Sequence, residues 1–495
     1  MKRIAKKTLP NIIYIAIFLI VSLVPVIFFS DKQAAIGNET KADKPKLSDG
    51  TLITANIDAY FAQNFGFRNR LVYAGNALKQ AVFKTSGQSD VIIGEDGWLF
   101  YGRALDDFLG TSILGEVELD RMGAVVDMMQ QYVQLHGGEF IFVSAPNKMS
   151  VYGEYMPYYY LEEKASGNYE LFYERLTELG VNAVQLKNVL IAKKLDGVQL
   201  YHKLDSHWNN YGAAVAYEAM ADKLAKLYGE EYSRYTHYSE LPYNVKNNFS
   251  GDLQAMLLPG SNKKDEQVEF DIDEKFEYVN RFRGVDDLVI ASANQTAAVD
   301  KMVTLFRDSF GNALYWFFAN EYTSLTAKRE IPYNIYQAAA ESDLVAVELV
   351  ERNLKGLLQH TPIIASWNLG GDYFDNIELD SKQVLDVDFY VNTTADGLMQ
   401  ISGSDDFLED YSYIYVRIKH MEASDKTEQD DSDKDGADES VVYQLLLGEG
   451  GDFTFYLEQA DADILKADDG SSEYSFILKN SDGYVEIPIN VTLQD

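Results

Sequence analysis

The order of apolar and polar residues divides the chain into four stretches. The first 30 residues begin with four basic side chains and continue as an uncharged run. Residues 31–50 have no apolar period and are predicted to be a linker. Residues 51–375 alternate between helical and strand-like periods, whereas residues 376–495 contain only short alternating segments separated by turn residues. The pattern therefore predicts two folded domains behind an N-terminal segment.

The uncharged run is long enough to predict a membrane anchor. It covers 18 residues from Ile12 to Phe29, and roughly 17–25 apolar residues cross a hydrocarbon core. The basic flank favours a cytoplasmic N-terminus, so the chain after Asp31 is expected outside the cell. A cleaved signal peptide is the alternative, but its apolar region is only about 7–15 residues long. We therefore expect a single-pass protein of the cell membrane, with most of the chain extracytoplasmic.

Residues 51–375 have the pattern of an α/β domain with a mainly parallel sheet. Apolar strands that alternate with helices are typical of a sheet covered on both faces. An Asp-Gly turn between two apolar pieces predicts a hairpin around residues 94–97. Helices are predicted at 57–83, 119–135, 169–179 and 211–227, and strands at 140–143, 182–186, 288–291, 302–306 and 344–347.

Residues 376–495 are predicted to form a β-sandwich-like accessory domain. About seven short alternating segments occur there, and no helical period persists. Between two of these segments lies a charged tract, 424–440, which is expected to be a disordered loop. Within it, Asp431–Gly436 matches the opening of a calcium loop, but position twelve is Val442 instead of Glu. We predict no metal site and no cofactor.

Charge and cysteine content narrow the class of protein. The formal net charge of −34 argues against nucleic-acid binding, because contacts with phosphates need a Lys- and Arg-rich surface. An exported chain of this size without cysteine fits the exterior of a Gram-positive-type bacterium, where disulfides are not routinely made.

One six-residue segment, Leu204–Asn209, carries the strongest chemical signal. It places Asp205 two positions before His207 in a chain with six histidines. A carboxylate that orients an imidazole is what nucleophilic catalysis by serine requires. The alternative is a surface turn that caps the following helix through Asn209 or Asn210. Trp208 is either a core anchor or a platform for substrate.

Ser309 is the candidate nucleophile. It follows the apolar strand predicted at 302–306 and precedes a helical run, so it is expected at the C-terminal edge of the sheet. The N-terminus of that helix offers free N–H groups to a developing oxyanion. The alternative is a helix N-cap. The adjacent Arg307 either binds an anion or pairs with a surface acid.

These blocks together resemble a known family. Leu204–Asn209 with the Asn-Tyr-Gly-Ala that follows, Gly94–Tyr101, Arg307–Phe310 and Glu348–Leu354 occur in the order found in exopolysaccharide acetylation proteins. These are the alginate O-acetylation proteins of the SGNH-hydrolase-like class and their Gram-positive relatives, the DHHW proteins. Here Ser206 stands where the DHHW name has its first histidine. The Ser309 block reads Arg-Asp-Ser, where many relatives have Gly-Asp-Ser or Gly-Thr-Ser.

The resemblance implies a three-layer, flavodoxin-like fold and an acyl-transfer site. It implies Ser309 as nucleophile, His207 as general base and Asp205 as the carboxylate that orients it. Asn147 and the Ser309 amide are candidates for the oxyanion hole. Candidates for substrate binding are Arg307, Trp208 and Asn209.

The implied activity is O-acetyl transfer to a cell-surface polysaccharide or exopolysaccharide, or the matching esterase reaction. The implied partners are the polysaccharide acceptor and a membrane-bound O-acyltransferase that supplies acetyl groups. A different class remains open, namely a non-catalytic scaffold or glycan-binding component of a surface-polysaccharide assembly, because a fold does not by itself establish activity. The β-rich domain is either a glycan-binding module or a structural appendage.

Overall fold

The computed structural model describes residues 2–32, 35–36, 39, 41–46, 53–160, 167–381, 384–420, 440–466 and 472–494. Most of the charged tract predicted at 424–440, including the calcium-like segment 431–436, lies outside the described residues, and so does part of the linker predicted at 31–50.

The secondary structure follows the predicted alternation and adds elements to it. The helices are α1 (Lys2–Ile27), α2 (Ile53–Asn64), α3 (Arg68–Phe83), α4 (Leu105–Leu109), α5 (Glu116–Leu135), α6 (Lys148–Val151), α7 (Asn168–Glu178), α8 (Leu186–Lys194), α9 (Asn210–Tyr228), α10 (Asp252–Leu257), α11 (Gly311–Glu321), α12 (Ile335–Glu341), α13 (Gly356–Gln359) and α14 (Gln459–Lys466). The strands are β1 (Val91–Ile93), β2 (Leu99–Tyr101), β3 (Glu139–Ala145), β4 (Ala183–Gln185), β5 (Tyr243–Phe249), β6 (Asp265–Phe270), β7 (Glu277–Tyr278), β8 (Val289–Ala293), β9 (Val299–Phe306), β10 (Tyr322–Lys328), β11 (Leu344–Val350), β12 (Leu379–Ser381), β13 (Leu385–Thr393), β14 (Met399–Ser404), β15 (Tyr413–His420), β16 (Ser440–Leu447), β17 (Asp452–Leu457), β18 (Ser472–Asn480) and β19 (Gly483–Gln494).

The central sheet of the α/β domain has seven strands in the order β4-β3-β11-β9-β10-β8-β7. The five strands from β4 to β10 run parallel, and β8 and β7 add an antiparallel edge. The predicted mainly parallel sheet is therefore present. Strand β10 is an addition to the prediction, because its sequence Tyr-Thr-Ser-Leu-Thr-Ala-Lys carries little apolar signal.

Two apolar layers cover the two faces of this sheet. Ile141 and Val143 of β3 face a cluster with residues of α9 and α11, whereas Phe140 and Phe142 face a cluster with residues of α5, α7 and α12. This split follows from the alternation of side chains along a strand. Every residue of the central strand β11 is buried, as expected for a parallel strand with helices on both sides.

The C-terminal domain is a closed sheet, so the prediction of a β-sandwich is wrong. Its strands follow the order β19-β13-β14-β17-β16-β15-β18, and β18 pairs with β19 to complete the circle. Strand β12 adds to the outside of β19. A sandwich and a closed sheet share the same alternation of apolar and polar residues. The two architectures differ in whether β18 pairs with β19. The alternation of apolar and polar residues does not predict that pairing.

Arg121 of α5 joins the two domains. Its side chain is 3% exposed and its guanidinium donates hydrogen bonds to five backbone carbonyls of the closed-sheet domain. These belong to the two segments 408–411 and 448–450, which flank strands β15 and β16. Next to it, the Ser412 hydroxyl donates to the Asp120 carboxylate at 2.9 Å. The side of α5 that faces away from the parallel sheet is therefore bound to the second domain.

The predicted membrane anchor is not supported by the structure. Helix α1 ends at Ile27, so the run counted from Ile12 to Phe29 contributes only the helical residues 12–27. Among the residues that the structure describes, no helix is both long enough and apolar enough to span a membrane. The prediction of a single-pass membrane location is therefore wrong.

Candidate active site

Three segments that follow parallel strands meet at one edge of the central sheet. Strand β11 pairs with β3 as far as Val350 and with β9 as far as Val347, so all three strands end at the same side. The residues just beyond them include Asn147, Ser309 and Arg352. The C-terminal edge of a parallel sheet is where α/β folds build their sites.

The Asp-x-His segment lies in a tight loop between α8 and α9. Tyr201 and Trp208 form an antiparallel bridge across it, and the Asn209 N–H donates to the Leu200 carbonyl at 2.9 Å. The Asn209 side chain then accepts the Gly212 N–H at 2.9 Å as the N-cap of α9. The loop is thus closed at its base, and its tip carries Asp205 and His207.

Asp205, His207 and Ser309 form a continuous hydrogen-bonded chain. The Asp205 Oδ1 atom lies 2.6 Å from His207 Nδ1 and also accepts the His207 N–H at 2.9 Å. On the other side of the ring, His207 Nε2 lies 2.8 Å from Ser309 Oγ. A carboxylate only accepts, so Nδ1 carries the ring proton and Nε2 accepts from the serine hydroxyl. The fold joins side chains that are 102 residues apart in sequence.

The electrostatics of the pair match this arrangement. Burial alone would raise the pKa of Asp205, but the charge of His207 and its hydrogen bond hold that pKa well below its ordinary value. Burial alone would lower the pKa of His207, whereas Asp205 and then Asp252 raise it above the ordinary value. Asp205 therefore stays ionised, and an imidazolium at His207 is stabilised.

A second carboxylate faces the same edge of the imidazole. Asp252, at the start of α10, has its Oδ2 atom 3.9 Å from His207 Nδ1, and Ser206 lies between them. Burial, followed by the charge of Asp205, raises the pKa of Asp252. Asp252 lies 47 residues from Asp205 in sequence, and no motif marked it in advance.

Lys148 holds the back of the catalytic loop. Its buried ammonium donates hydrogen bonds to the backbone carbonyls of His202 at 3.0 Å, Lys203 at 3.2 Å and Asp205 at 2.5 Å. The three hydrogens of an ammonium match these three acceptors. Burial lowers the pKa of Lys148 to about 8. No sequence motif indicated this role for Lys148, which begins α6 shortly after β3.

The turn that carries Ser309 is held by two carboxyl groups. Asp308 accepts the N–H groups of Phe310 at 2.8 Å and Val350 at 2.9 Å. Beneath the turn, the fully buried Glu348 accepts the Asp308 N–H at 3.1 Å. Burial, followed by the charge of Asp308, raises the pKa of Glu348 well above its ordinary value. Because a Cβ at Gly311 would lie 2.4 Å from the Arg307 Cβ, only glycine allows α11 to begin this close to the strand end.

Asn147 and Arg352 lie together beside the nucleophile turn. The Arg352 guanidinium stacks over the rings of Tyr101 and Phe310, at 5.2 and 5.3 Å, and donates to Asn147 Oδ1 at 3.3 Å. The Asn147 Nδ2 group is buried and has no hydrogen-bond acceptor among the described residues. The amide is therefore held by its oxygen, and its two N–H donors remain available.

The other predicted binding residues are engaged within the fold. Trp208 is buried and donates its Nε1–H to the Phe310 carbonyl at 3.0 Å, so the structure uses it as a core anchor. Asn209 caps α9, which is the alternative interpretation of that residue. Arg307 is also buried, and its Nη2 donates to the carbonyls of Val285 and Asp287 at 3.0 and 2.9 Å. Burial lowers the pKa of Arg307 to about 10. Trp208 and Asn209 thus use their polar groups within the fold, whereas the buried Arg307 Nε group has no hydrogen-bond partner among the described residues.

A cleft of about 500 Å³ lies next to the nucleophile turn. Its wall includes Arg307, Asp308, Arg352, Lys355 and His360. A volume of 300–1,000 Å³ is typical of small-ligand sites. The cleft is therefore large enough for a small ligand beside the turn that carries Ser309.

One group of side chains could bring three metal-ligand atoms together. Ligand atoms of Asp205, His207 and Asp252 lie within 4.8 Å of one another. His207 Nδ1 and Asp205 Oδ1 are, however, joined by a hydrogen bond of 2.6 Å, and the Ser206 hydroxyl donates a hydrogen bond to Asp252. A metal ion here would have to displace both contacts, so the donor set fits a hydrogen-bonded catalytic group better than a metal centre.

A three-layer α/β fold with serine, histidine and aspartate at the C-terminal edge of its sheet defines a class. Residues 91–333 match the family model described as the SGNH hydrolase-like domain of acetyltransferase AlgX. Residues 91–333 are therefore similar to an SGNH hydrolase-like domain, and the family resemblance predicted from the sequence is confirmed.

Among characterised proteins, the chain is similar to the probable alginate O-acetylase AlgJ of Pseudomonas fluorescens. The two are 23% identical over 215 residues, which is 43% of this chain and 52% of the relative. The chain thus spans about half the length of that relative. The O-acetyltransferase domain of Pseudomonas putida AlgJ is 20% identical, with 54% of this chain and 92% of that chain covered at a TM-score of 0.36. A DHHW family protein from Eubacterium siraeum is 14% identical, with 54% and 93% covered at a TM-score of 0.40.

Proposed function

We propose that this protein is an acyl-transfer enzyme that uses Ser309 as nucleophile, His207 as general base and Asp205 as the orienting carboxylate. The observation that carries the proposal is the continuous chain of contacts, 2.6 Å from Asp205 to His207 and 2.8 Å from His207 to Ser309. Catalytic hydrogen bonds of about 2.6–3.2 Å between nucleophile and base are the mark of an activated serine.

In the first half of the reaction, Ser309 Oγ attacks the acyl carbon of the donor. The new Oγ–C bond forms, the bond from the acyl carbon to the leaving group breaks, and the serine proton passes to His207 Nε2 and on to the leaving group. Asp205 keeps Nδ1 protonated and stabilises the imidazolium. The Asn147 amide and the Ser309 N–H are our candidates for the donors that stabilise the developing oxyanion.

In the second half, a hydroxyl group of the acceptor attacks the acyl-serine. The acceptor proton moves to His207 Nε2, a new ester bond forms on the acceptor, and Ser309 Oγ leaves and takes the proton back. Water as acceptor gives the esterase reaction. Because curated relatives are named alginate O-acetylases, we propose an acetyl group as the acyl group and a polysaccharide hydroxyl as the acceptor. The proposed acetyl source is a membrane-bound O-acyltransferase.

The test is hydrolysis of 4-nitrophenyl acetate by the full chain, compared with Ser309→Ala and His207→Ala. The exposed Ser112→Ala serves as matched control. We expect the two site variants to lose at least about 10³-fold of the activity, as in other serine triads, and the control to keep it. Mass spectrometry should find an acetyl group on Ser309 in a quenched reaction, and an added oligosaccharide should increase the turnover.

Two results would contradict the proposal. Activity that survives both site substitutions would exclude this triad as the source of the chemistry. An inert wild type, with no adduct on Ser309 from an activated sulfonyl ester, would favour the non-catalytic scaffold instead.

A further inference from the structure

We propose that Asp252 is a second carboxylate that acts on His207 through the hydroxyl of Ser206, as a positioning residue for the acyl transfer. The inference rests on the proposed function, because it assigns a role toward the general base. It goes beyond the three-residue site, since neither Asp252 nor Ser206 is required by a serine, histidine and aspartate alone.

The first observation is a reciprocal lock between two segments that are distant in sequence. The Asp252 N–H donates to Asp205 Oδ2 at 2.7 Å, and the Ser206 N–H donates back to Asp252 Oδ1 at 2.8 Å. Backbone contact tightens the pair, because a Cβ at Gly251 would lie 2.1 Å from the Leu204 carbonyl oxygen. Both oxygens of Asp205 are therefore occupied, one by His207 and the other by the backbone of Asp252.

The second observation is the position of the Ser206 hydroxyl. It donates to Asp252 Oδ2 at 2.6 Å and lies 3.2 Å from His207 Nδ1, and the direct separation between Nδ1 and Oδ2 is 3.9 Å. Ser206 is 5% exposed, and the Asp252 side chain is 16% exposed. The protonated edge of the imidazole thus faces two carboxylates and one hydroxyl in a setting with little water.

The other charged groups near His207 make hydrogen bonds or ring contacts of their own. Lys148 on α6 is bound to backbone carbonyls of the loop, and Arg352 beyond β11 stacks over Phe310. Asp265 of β6 accepts the Leu204 N–H, and His202 lies 2.8 Å from the Glu266 carbonyl. The charge of Arg352 lowers the pKa of His207, whereas the charges of Asp205 and Asp252 raise it. Asp252 is therefore the second group, after Asp205, that favours the imidazolium.

Asp205 and Asp252 have different effects on the His207 imidazole. Asp205 sets the tautomer through its short contact with Nδ1, whereas Asp252 holds Ser206 against the ring and adds negative charge. An opposite charge within about 4–6 Å raises the pKa of a histidine. The raised basicity helps His207 take the Ser309 proton, at the cost of a larger protonated fraction near neutral pH.

The test is the pH dependence of kcat/KM for Asp252→Asn, measured with 4-nitrophenyl acetate on the full chain. Asparagine keeps the size of the side chain, and its oxygen still accepts the Ser206 N–H, so the lock survives. We expect the acid limb of the profile to move down by about one pH unit and the plateau to fall by about tenfold. Asp271→Asn removes an equivalent charge from an exposed position after β6 and should leave the profile unchanged.

Variants of Ser206 test independently whether Asp252 acts on His207 through the Ser206 hydroxyl. Ser206→Ala removes the bridge, and Ser206→Thr keeps a hydroxyl. If Asp252 acts through Ser206, the losses from Ser206→Ala and Asp252→Asn are not additive in the double variant, and Ser206→Thr recovers most of the rate. Asp205→Asn combined with Asp252→Asn should be less active than Asp205→Asn alone.

An unshifted acid limb in Asp252→Asn, together with additive losses at Ser206 and Asp252, would overturn the inference and leave Asp252 as a purely structural contact. Titration of the His207 ring protons by NMR gives the same answer without any activity measurement. Failure of the proposed function has a different signature, because Ser309→Ala would then remain as active as the wild type.

Discussion

Replacement of Arg121 by methionine should weaken the contact between the α/β domain and the closed-sheet domain. Methionine keeps an unbranched apolar side chain at this position of α5, but it is shorter than arginine and donates no hydrogen bond. The substitution leaves five carbonyl oxygens of the closed-sheet domain without their donor, at Leu408, Glu409, Tyr411, Gly448 and Gly450.

The expected cost follows from the burial of those acceptors. The contacts with the carbonyls of Tyr411, Gly448 and Leu408 are buried, at 2.8, 3.0 and 2.5 Å, whereas the other two acceptors are in partial contact with water. A buried acceptor left unpaired costs roughly 1–3 kcal/mol. Three of them sum to at least about 3 kcal/mol, which corresponds to a fall in Tm of at least about 6 °C for a domain of this size.

The assay is thermal unfolding of the full chain, combined with limited proteolysis. Arg121→Lys keeps the charge but has three N–H donors for five acceptors, so its Tm should fall between those of wild type and Arg121→Met. Arg103→Met serves as surface control, since the Arg103 side chain is 69% exposed and forms a surface ion pair with Asp90. An Arg121→Met protein whose Tm and protease resistance stay within the range of this control would refute the reasoning.

Four further predictions concern the site. Because the pKa of His207 is raised, kcat/KM should increase with pH with a midpoint above the ordinary value of about 6.5; a midpoint below 6 would contradict this. The same shift contributes stability that is fully present below about pH 6.5 and is lost as pH rises through the folded pKa, so the difference in unfolding free energy between wild type and His207→Gln should shrink in that window. Arg352→Gln should release the Asn147 amide and lower kcat by about tenfold with little change in KM, whereas Lys355→Gln should spare kcat, because Lys355 pairs with Glu118 and Glu449. Steady-state kinetics with equal kcat values for both variants would speak against the role of Arg352. Because burial raises the pKa of Glu348 well above its ordinary value, its neutral form is favoured, so Glu348→Gln should unfold within about 1 kcal/mol of wild type and Glu348→Ala should cost about 2–4 kcal/mol. Denaturant titration measures both, and a large loss in Glu348→Gln would show that the ionised form is required.

The parts of the fold that repeat a simple period could be predicted from the sequence. The apolar strand before Ser309 and the amphipathic helix after Asn209 both have strong periods, and they place the nucleophile and the base loop correctly at the ends of elements. The helix predicted across 57–83 is interrupted after Asn64, where Phe67 adopts a φ of 61°. Alternation alone gave no sign of this break.

Long-range contacts account for what the sequence did not reveal. Asp252 and Lys148 reach the catalytic loop through backbone groups, and such contacts leave no spacing in the sequence that can be recognised. The same holds for the closure of the C-terminal sheet, which depends on the pairing of β18 with β19. Arg307 is a further example, because a basic residue beside a candidate nucleophile suggested anion binding, and no motif indicated that its guanidinium donates to the carbonyls of Val285 and Asp287.

The loop closed by the Tyr201–Trp208 bridge has a consequence for how the protein can be regulated and can diverge. Ser309 rests on the rigid end of a buried strand, but the base is carried by a separate loop that Lys148 and the α10 segment hold from outside the sheet. The loop that carries His207 can therefore move relative to Ser309 while the sheet stays folded. Local opening of the loop would leave a folded, glycan-accessible protein with an unreactive serine, and amide hydrogen exchange would detect it as fast exchange at 200–209 against a protected sheet. Under the proposed function, changes outside Ser309, His207 and Asp205 are thus enough to abolish the activity without unfolding the protein.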